Sequence, residues 1–104
     1  MKIIWSEFAV AELKSIFDYY KICAGLPVAQ RIKTEIFKDI KLLKKQPYIG
    51  QIENNLIGLN REYRYLLVGN HKVIYYVAVK VIYITDVFDC RRNPVEMRKN
   101  QNAQ

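Results

Sequence analysis

The chain has 104 residues, of which 51% are hydrophobic and 26% charged, and its net charge is +7. This length suits one domain with one thin core, and the apolar fraction excludes a largely disordered chain. The positive excess lies downstream, since residues 1–30 are balanced while 31–60 carry +3 and 61–104 carry +4, and a basic surface of this kind attracts nucleic acid, anionic lipid or acidic protein.

In chain order, Lys2-Ile3-Ile4-Trp5 is short, apolar and β-branched and predicts a strand. Ser6 follows as an N-cap, with Glu7 suited to the positive end of a helix. Ala9, Leu13, Ile16, Phe17 and Tyr20 then recur at helical spacing and predict a helix over 7–23. Gly25 and Pro27 mark a stop and a restart. A second helix is expected over 27–45, with Val28, Ile32, Ile36, Ile40 and Leu43 as its buried stripe and lysines off it. Gly25-Leu26-Pro27 is too short to do anything except fold the two helices back on each other. Pro47-Tyr48-Ile49-Gly50 opens a loop expected to run to about residue 59. Three strands follow, over 61–68, 72–77 and 81–88, joined at Gly69-Asn70 and Val79-Lys80. The expected fold is therefore α+β, in the order β-α-α-β-β-β: a helical hairpin on an antiparallel sheet. One domain spans 1–94, and 95–104 reads as a polar, frayed tail.

Much chemistry is excluded. The four glycines are isolated, so no phosphate-cradling loop exists. One histidine, His71, and two distant cysteines, Cys23 and Cys90, make neither a zinc site nor a disulfide framework. Ser6 and Ser15 have no histidine partner, and the acids are scattered, so no cofactor or metal is expected. No apolar run approaches the roughly 18 residues of a membrane span, and Met1–Glu7 reaches an acid too early for a signal peptide. A reduced cytoplasm is the expected compartment, with no membrane partner.

A set of cations and rings remains: Arg61, Tyr63, Arg64, Tyr65, Lys72, Tyr75, Tyr76, Tyr83, Arg91 and Arg92 fall on or beside the predicted sheet. Such a set can grip single-stranded nucleic acid, although strand tyrosines are more often packing residues. Arg91-Arg92, directly after a strand, suits a clamp on phosphate or carboxylate, with Asp86 and Asp89 close enough to neutralise it in part. His71 reads as a surface turn residue.

Four segments in order resemble the RelE/ParE toxins of type II toxin–antitoxin systems: Trp5-Ser6 through Ala11-Glu12-Leu13 to Tyr19-Tyr20; Pro47-Tyr48-Ile49-Gly50; Tyr63-Arg64-Tyr65-Leu66 with Gly69-Asn70-His71-Lys72-Val73-Ile74-Tyr75-Tyr76; and Val87-Phe88-Asp89-Cys90-Arg91-Arg92-Asn93-Pro94. The resemblance implies a growth-inhibiting, plasmid-stabilising toxin held inactive by an acidic, partly disordered antitoxin, with contact expected along the helical hairpin and the exposed sheet. Its target would be DNA gyrase for a ParE-like member, or messenger RNA on the ribosome for a RelE-like endoribonuclease. Lys72, Arg91 and Arg92 would form the nuclease site, and Arg61 and Arg64 would join them in binding the target. The tyrosine that RelE-like members carry beyond the last arginine is replaced here by Met97-Arg98, and Asp89 stands where a histidine is common. Arginine does not readily release a proton, so the acid–base set is incomplete and the ParE-like reading is favoured. A non-toxic basic interaction module is the third reading.

Overall fold

The computed structural model describes residues 1–102 and 104. Its elements are β1 (Lys2–Trp5), α1 (Glu7–Ala24), α2 (Leu26–Leu42), β2 (Gln51–Ile52), β3 (Arg64–Val68), β4 (His71–Ala78), β5 (Val81–Asp89) and α3 (Val95–Asn102), with one 3-10 turn at Asn54–Leu56. They form an α+β fold around one five-stranded sheet in the order β1-β5-β4-β3-β2. β1 runs parallel to β5 and every other pairing is antiparallel.

Local chemistry fixes the hairpin. The Ser6 Oγ accepts from the Ala9 N–H at 3.0 Å, while its own N–H donates to the Ile84 carbonyl at 2.9 Å. One residue thus caps α1 and ties it to the sheet. Gly25, at φ 95°, is the only residue between α1 and α2, a conformation that glycine adopts without a Cβ penalty. α2 ends at Leu42, not 45, because Leu43, Lys44 and Lys45 donate to carbonyls three residues back, tightening the last turn.

The two sheet faces carry separate cores. Ala9, Leu13, Ile36, Ile40 and Leu43 of the hairpin pack on Val68, Val73, Tyr75, Ile82, Ile84 and Val87. On the opposite face Leu56, Tyr63, Ile74, Phe88 and Met97 form a smaller cluster. A bulge in β5 sets how the end of that strand is shared between the two faces. Tyr75 opposes Ile84, but Ile74 opposes Asp86, so Thr85 is the extra residue. Beyond it the alternation inverts: Val87 faces the hairpin, and Phe88 faces away.

The remaining departures from expectation lie outside the main strands. The loop after α2 contains β2 and the 3-10 turn, and β3 begins at Arg64 rather than residue 61. The segment expected to be a frayed tail forms α3, because Met97 supplies an apolar anchor that is 1% exposed. Ala103, also in that expected tail, lies outside the described residues. No described helix is long and apolar enough to cross a membrane.

Candidate functional site

Arg91 and Arg92 stand together where β5 ends. Arg91 grips Asp89 through two bonds, Nη2–Oδ2 at 2.6 Å and Nε–Oδ1 at 3.0 Å, and reaches the Tyr20 hydroxyl at 3.3 Å. Hydrogen bonds from Arg91 hold the Asp89 carboxyl down at about 2. Arg92 bonds Glu96 at 2.7 Å, lies 3.6 Å from Glu12, and covers the Phe88 ring. Beside them a cleft of about 320 Å³ separates α1 from the sheet. His71 lines this cleft and is buried, not a surface turn residue, because the first position of β4 faces α1 and meets Tyr20 edge-on at 6.1 Å. Burial lowers its pKa, Asp89 opposes the shift and Arg91 adds to it, so the ring is neutral at neutral pH. Of the two acids expected beside the arginines, Asp89 pairs with Arg91, while Asp86 turns toward Asn100 of α3.

Lys72 does not join this cluster. Strand alternation sends it to the other sheet face, where its Nζ lies 2.8 Å from the Glu53 carboxylate and 4.3 Å from the Tyr65 ring centroid. Glu53 is 1% exposed and also accepts from the Asn55 N–H at 3.1 Å and its side-chain amide at 2.8 Å. Arg64 points to the hairpin side, where it donates to the Gly50 carbonyl at 2.8 Å and to the Tyr48 carbonyl at 3.3 Å, and pairs with Glu62. It pins the loop that Tyr75 also holds, since the Tyr75 hydroxyl accepts from the Gly50 N–H at 2.9 Å. A Cβ on Gly50 would collide with that hydroxyl and with the Tyr65 carbonyl.

Arg61 lies 4.8 Å from the Tyr76 ring centroid, on the same face as Lys72. Tyr76 stacks on Tyr83 at 5.1 Å and meets Tyr63 edge-on at 5.7 Å. The rings of this row are engaged with one another and with Arg61, so they act as packing groups on the sheet. Of the five cations expected to act on a target, Arg91 and Arg92 converge and the other three are dispersed. Among the described residues, no group of His, Cys, Asp and Glu could hold a metal ion.

A second surface lies on the hairpin, where antitoxin contact is expected, at a place the sequence did not locate more finely. Trp5, Val10, Leu13, Phe17 and Phe37 floor a groove of about 420 Å³ along the hairpin. It continues past Thr34, Lys38 and Lys41 in one direction and toward Met1, Ile3 and Lys44 in the other. Lys14, Lys33, Lys38 and Lys41 rim it, and among the described residues no Asp or Glu lines it. Phe37 is 39% exposed and tilts against Trp5 at 5.5 Å. Its place one residue beyond Ile36, off the buried stripe of α2, was the available sequence signal.

Residues 3–94 match the family described as "ParE toxin of type II toxin-antitoxin system, parDE". Among solved structures the chain is similar to one titled "Chromosomal ParDE TA system from P. aeruginosa", with 22% identity, a TM-score of 0.72, and coverage of 86% of this chain and 95% of that one. A search of curated protein sequences finds no match.

Proposed function

The chain belongs to the ParE toxin family of type II toxin–antitoxin systems, and from that membership we propose that it acts on DNA gyrase through protein contact and is neutralised by a cognate antitoxin in the cytoplasm. The supporting observation is the dispersal of the cations. Cleaving a phosphodiester by attack of the 2′-hydroxyl needs a base, a charge-stabilising cation and an acid around one phosphate. Here Lys72 is paired with buried Glu53 on one face, while Arg91 is neutralised by Asp89 at the end of β5 beside α1. The hairpin groove supplies what an acidic, partly disordered antitoxin segment needs, an apolar floor inside a lysine rim. Purified protein is expected to abolish gyrase supercoiling and to lose that effect on addition of the antitoxin; unaffected gyrase would overturn the reading.

One observation favours a ribosome-dependent ribonuclease as the second reading: Arg91 and Arg92 share a cleft with Tyr20 and His71. On that reading, primer extension on ribosome-bound message shows cuts that disappear in Arg91→Ala, and their persistence removes the proposed site.

A further inference from the structure

Asp86 is 0% exposed on the sheet face covered by α3. Its Oδ2 accepts from the Asn100 side-chain amide of α3 at 3.0 Å. Its Oδ1 has no hydrogen-bond partner among the described residues, and neither has the buried Nε2 of Gln101, the next residue of that helix. An ionised carboxylate accepts several hydrogen bonds and donates none, and two uncharged donors, the Asn100 amide and the Val87 backbone N–H, do not offset its removal from water. The charged groups nearby do not supply the difference. Glu12 of α1 repels the carboxylate, and Arg92 is already bonded to Glu96 of α3 and drawn toward Glu12.

The helix above Asp86 is short. α3 has eight residues, too few to be stable alone, and is kept in place by a few contacts. Met97 enters the cluster with Ile74 and Phe88, and Arg98 donates to the carbonyls of Asn55 and Ile57 at 3.2 and 2.8 Å. Lifting α3 would return Asp86 to solvent and uncover that apolar patch.

We propose that Asp86 is a proton-operated latch: its neutral carboxyl holds α3 on the sheet, and its ionisation loosens the helix. The proton affinity of the buried group agrees with the geometry. Burial pushes the carboxyl up to about 6 from 3.8, with Glu12 adding to the rise and Asn100, the Val87 backbone N–H and Arg92 opposing it. The docked state keeps its proton where the lifted state has released it. Docking is therefore firmest below 3.8, weakens as pH rises to about 6, and is level above that. The distance between those two values corresponds to a change in docking equilibrium of up to about a hundredfold.

The test is amide hydrogen exchange on the full chain at pH 5 and pH 8, corrected for intrinsic rates, with β4 and β5 amides as the internal reference. The expected result is that α3 protection falls about tenfold between pH 5 and pH 8 relative to the reference, and that Asp86→Asn removes this dependence. Protection that is unchanged with pH, or that changes equally in Asp86→Asn, overturns the latch. Should the variant fail to fold, carbon-detected NMR titration of Asp86 in the unaltered chain decides. A midpoint near 6 supports the latch, and a midpoint in the ordinary aspartate range overturns it.

Discussion

Replacing Lys72 by Met separates a structural cation from a catalytic one. The substitution keeps most of the length of the side chain and removes its charge, leaving the Glu53 carboxylate, 1% exposed, with the two Asn55 donors as its side-chain partners among the described residues. Removing one partner of a fully buried ion pair costs roughly 3–5 kcal/mol. The Lys72 side chain keeps 22% of its exposure, so water reaches the vacated position and the expected loss drops to about 2–3 kcal/mol. That is a large fraction of the roughly 5–15 kcal/mol that stabilises a small domain. With a urea slope of about 1–1.5 kcal/mol per molar for a chain this short, the midpoint should fall by about 2 M. Trp5, the single tryptophan, packs against Phe37 and serves as the fluorescence probe. Adding Glu53→Gln to Lys72→Met removes the stranded charge and should recover at least about 1 kcal/mol. A Lys72→Met midpoint within 0.5 M of the unaltered chain, roughly the size of a surface-pair effect, would refute the reasoning and free Lys72 for a catalytic part. Loss of toxicity in any Lys72 variant therefore requires a matched stability measurement before it is read as chemistry.

Tyr75→Phe strands the buried Gly50 N–H and should cost about 1–2 kcal/mol in urea unfolding; Gly50→Ala should cost about 1–3 kcal/mol by collision with the same hydroxyl. An unaltered midpoint in both would mean that the Pro47–Gly50 loop is not held as described. Ser6→Ala removes the α1 cap and should lower stability by about 1 kcal/mol, with Ser6→Gly milder, as thermal melts would show. Reversing Lys33, Lys38 and Lys41 to Glu should weaken antitoxin binding in calorimetry and flatten its salt dependence while leaving the melting temperature nearly unchanged. Unchanged affinity would move the antitoxin off the hairpin groove.

The hairpin and the three long strands were legible because each carries its signal locally: Ser6, Gly25 and Pro27 punctuate the helices, and Gly69-Asn70 and Val79-Lys80 punctuate the strands. α3 was not, because its one apolar anchor, Met97, sits in a polar stretch and gains its partners only from the far sheet face. The destination of Asp86 was equally hidden. Alternation read from Ile82 and Ile84 puts residue 86 under the hairpin, and only the extra residue Thr85, a pairing event, turns it to the other side. For the functional site, sequence adjacency was informative where two residues act together, as with Arg91 and Arg92. It misled where strand alternation intervened, since His71 and Lys72 are neighbours in sequence and face opposite sides of the sheet. The surrounding acids were the least legible part. Glu53 lies nineteen residues before Lys72, and no local pattern announces that this loop carboxylate is the lysine's partner.

The central claim, that this toxin acts on gyrase and not on messenger RNA, meets its most direct test in a paired assay on one preparation of purified protein. Supercoiling and DNA cleavage by gyrase are followed alongside primer extension on ribosome-bound message. The account predicts inhibited supercoiling that the antitoxin reverses, with an uncut message. A cut message beside unaffected gyrase would contradict it.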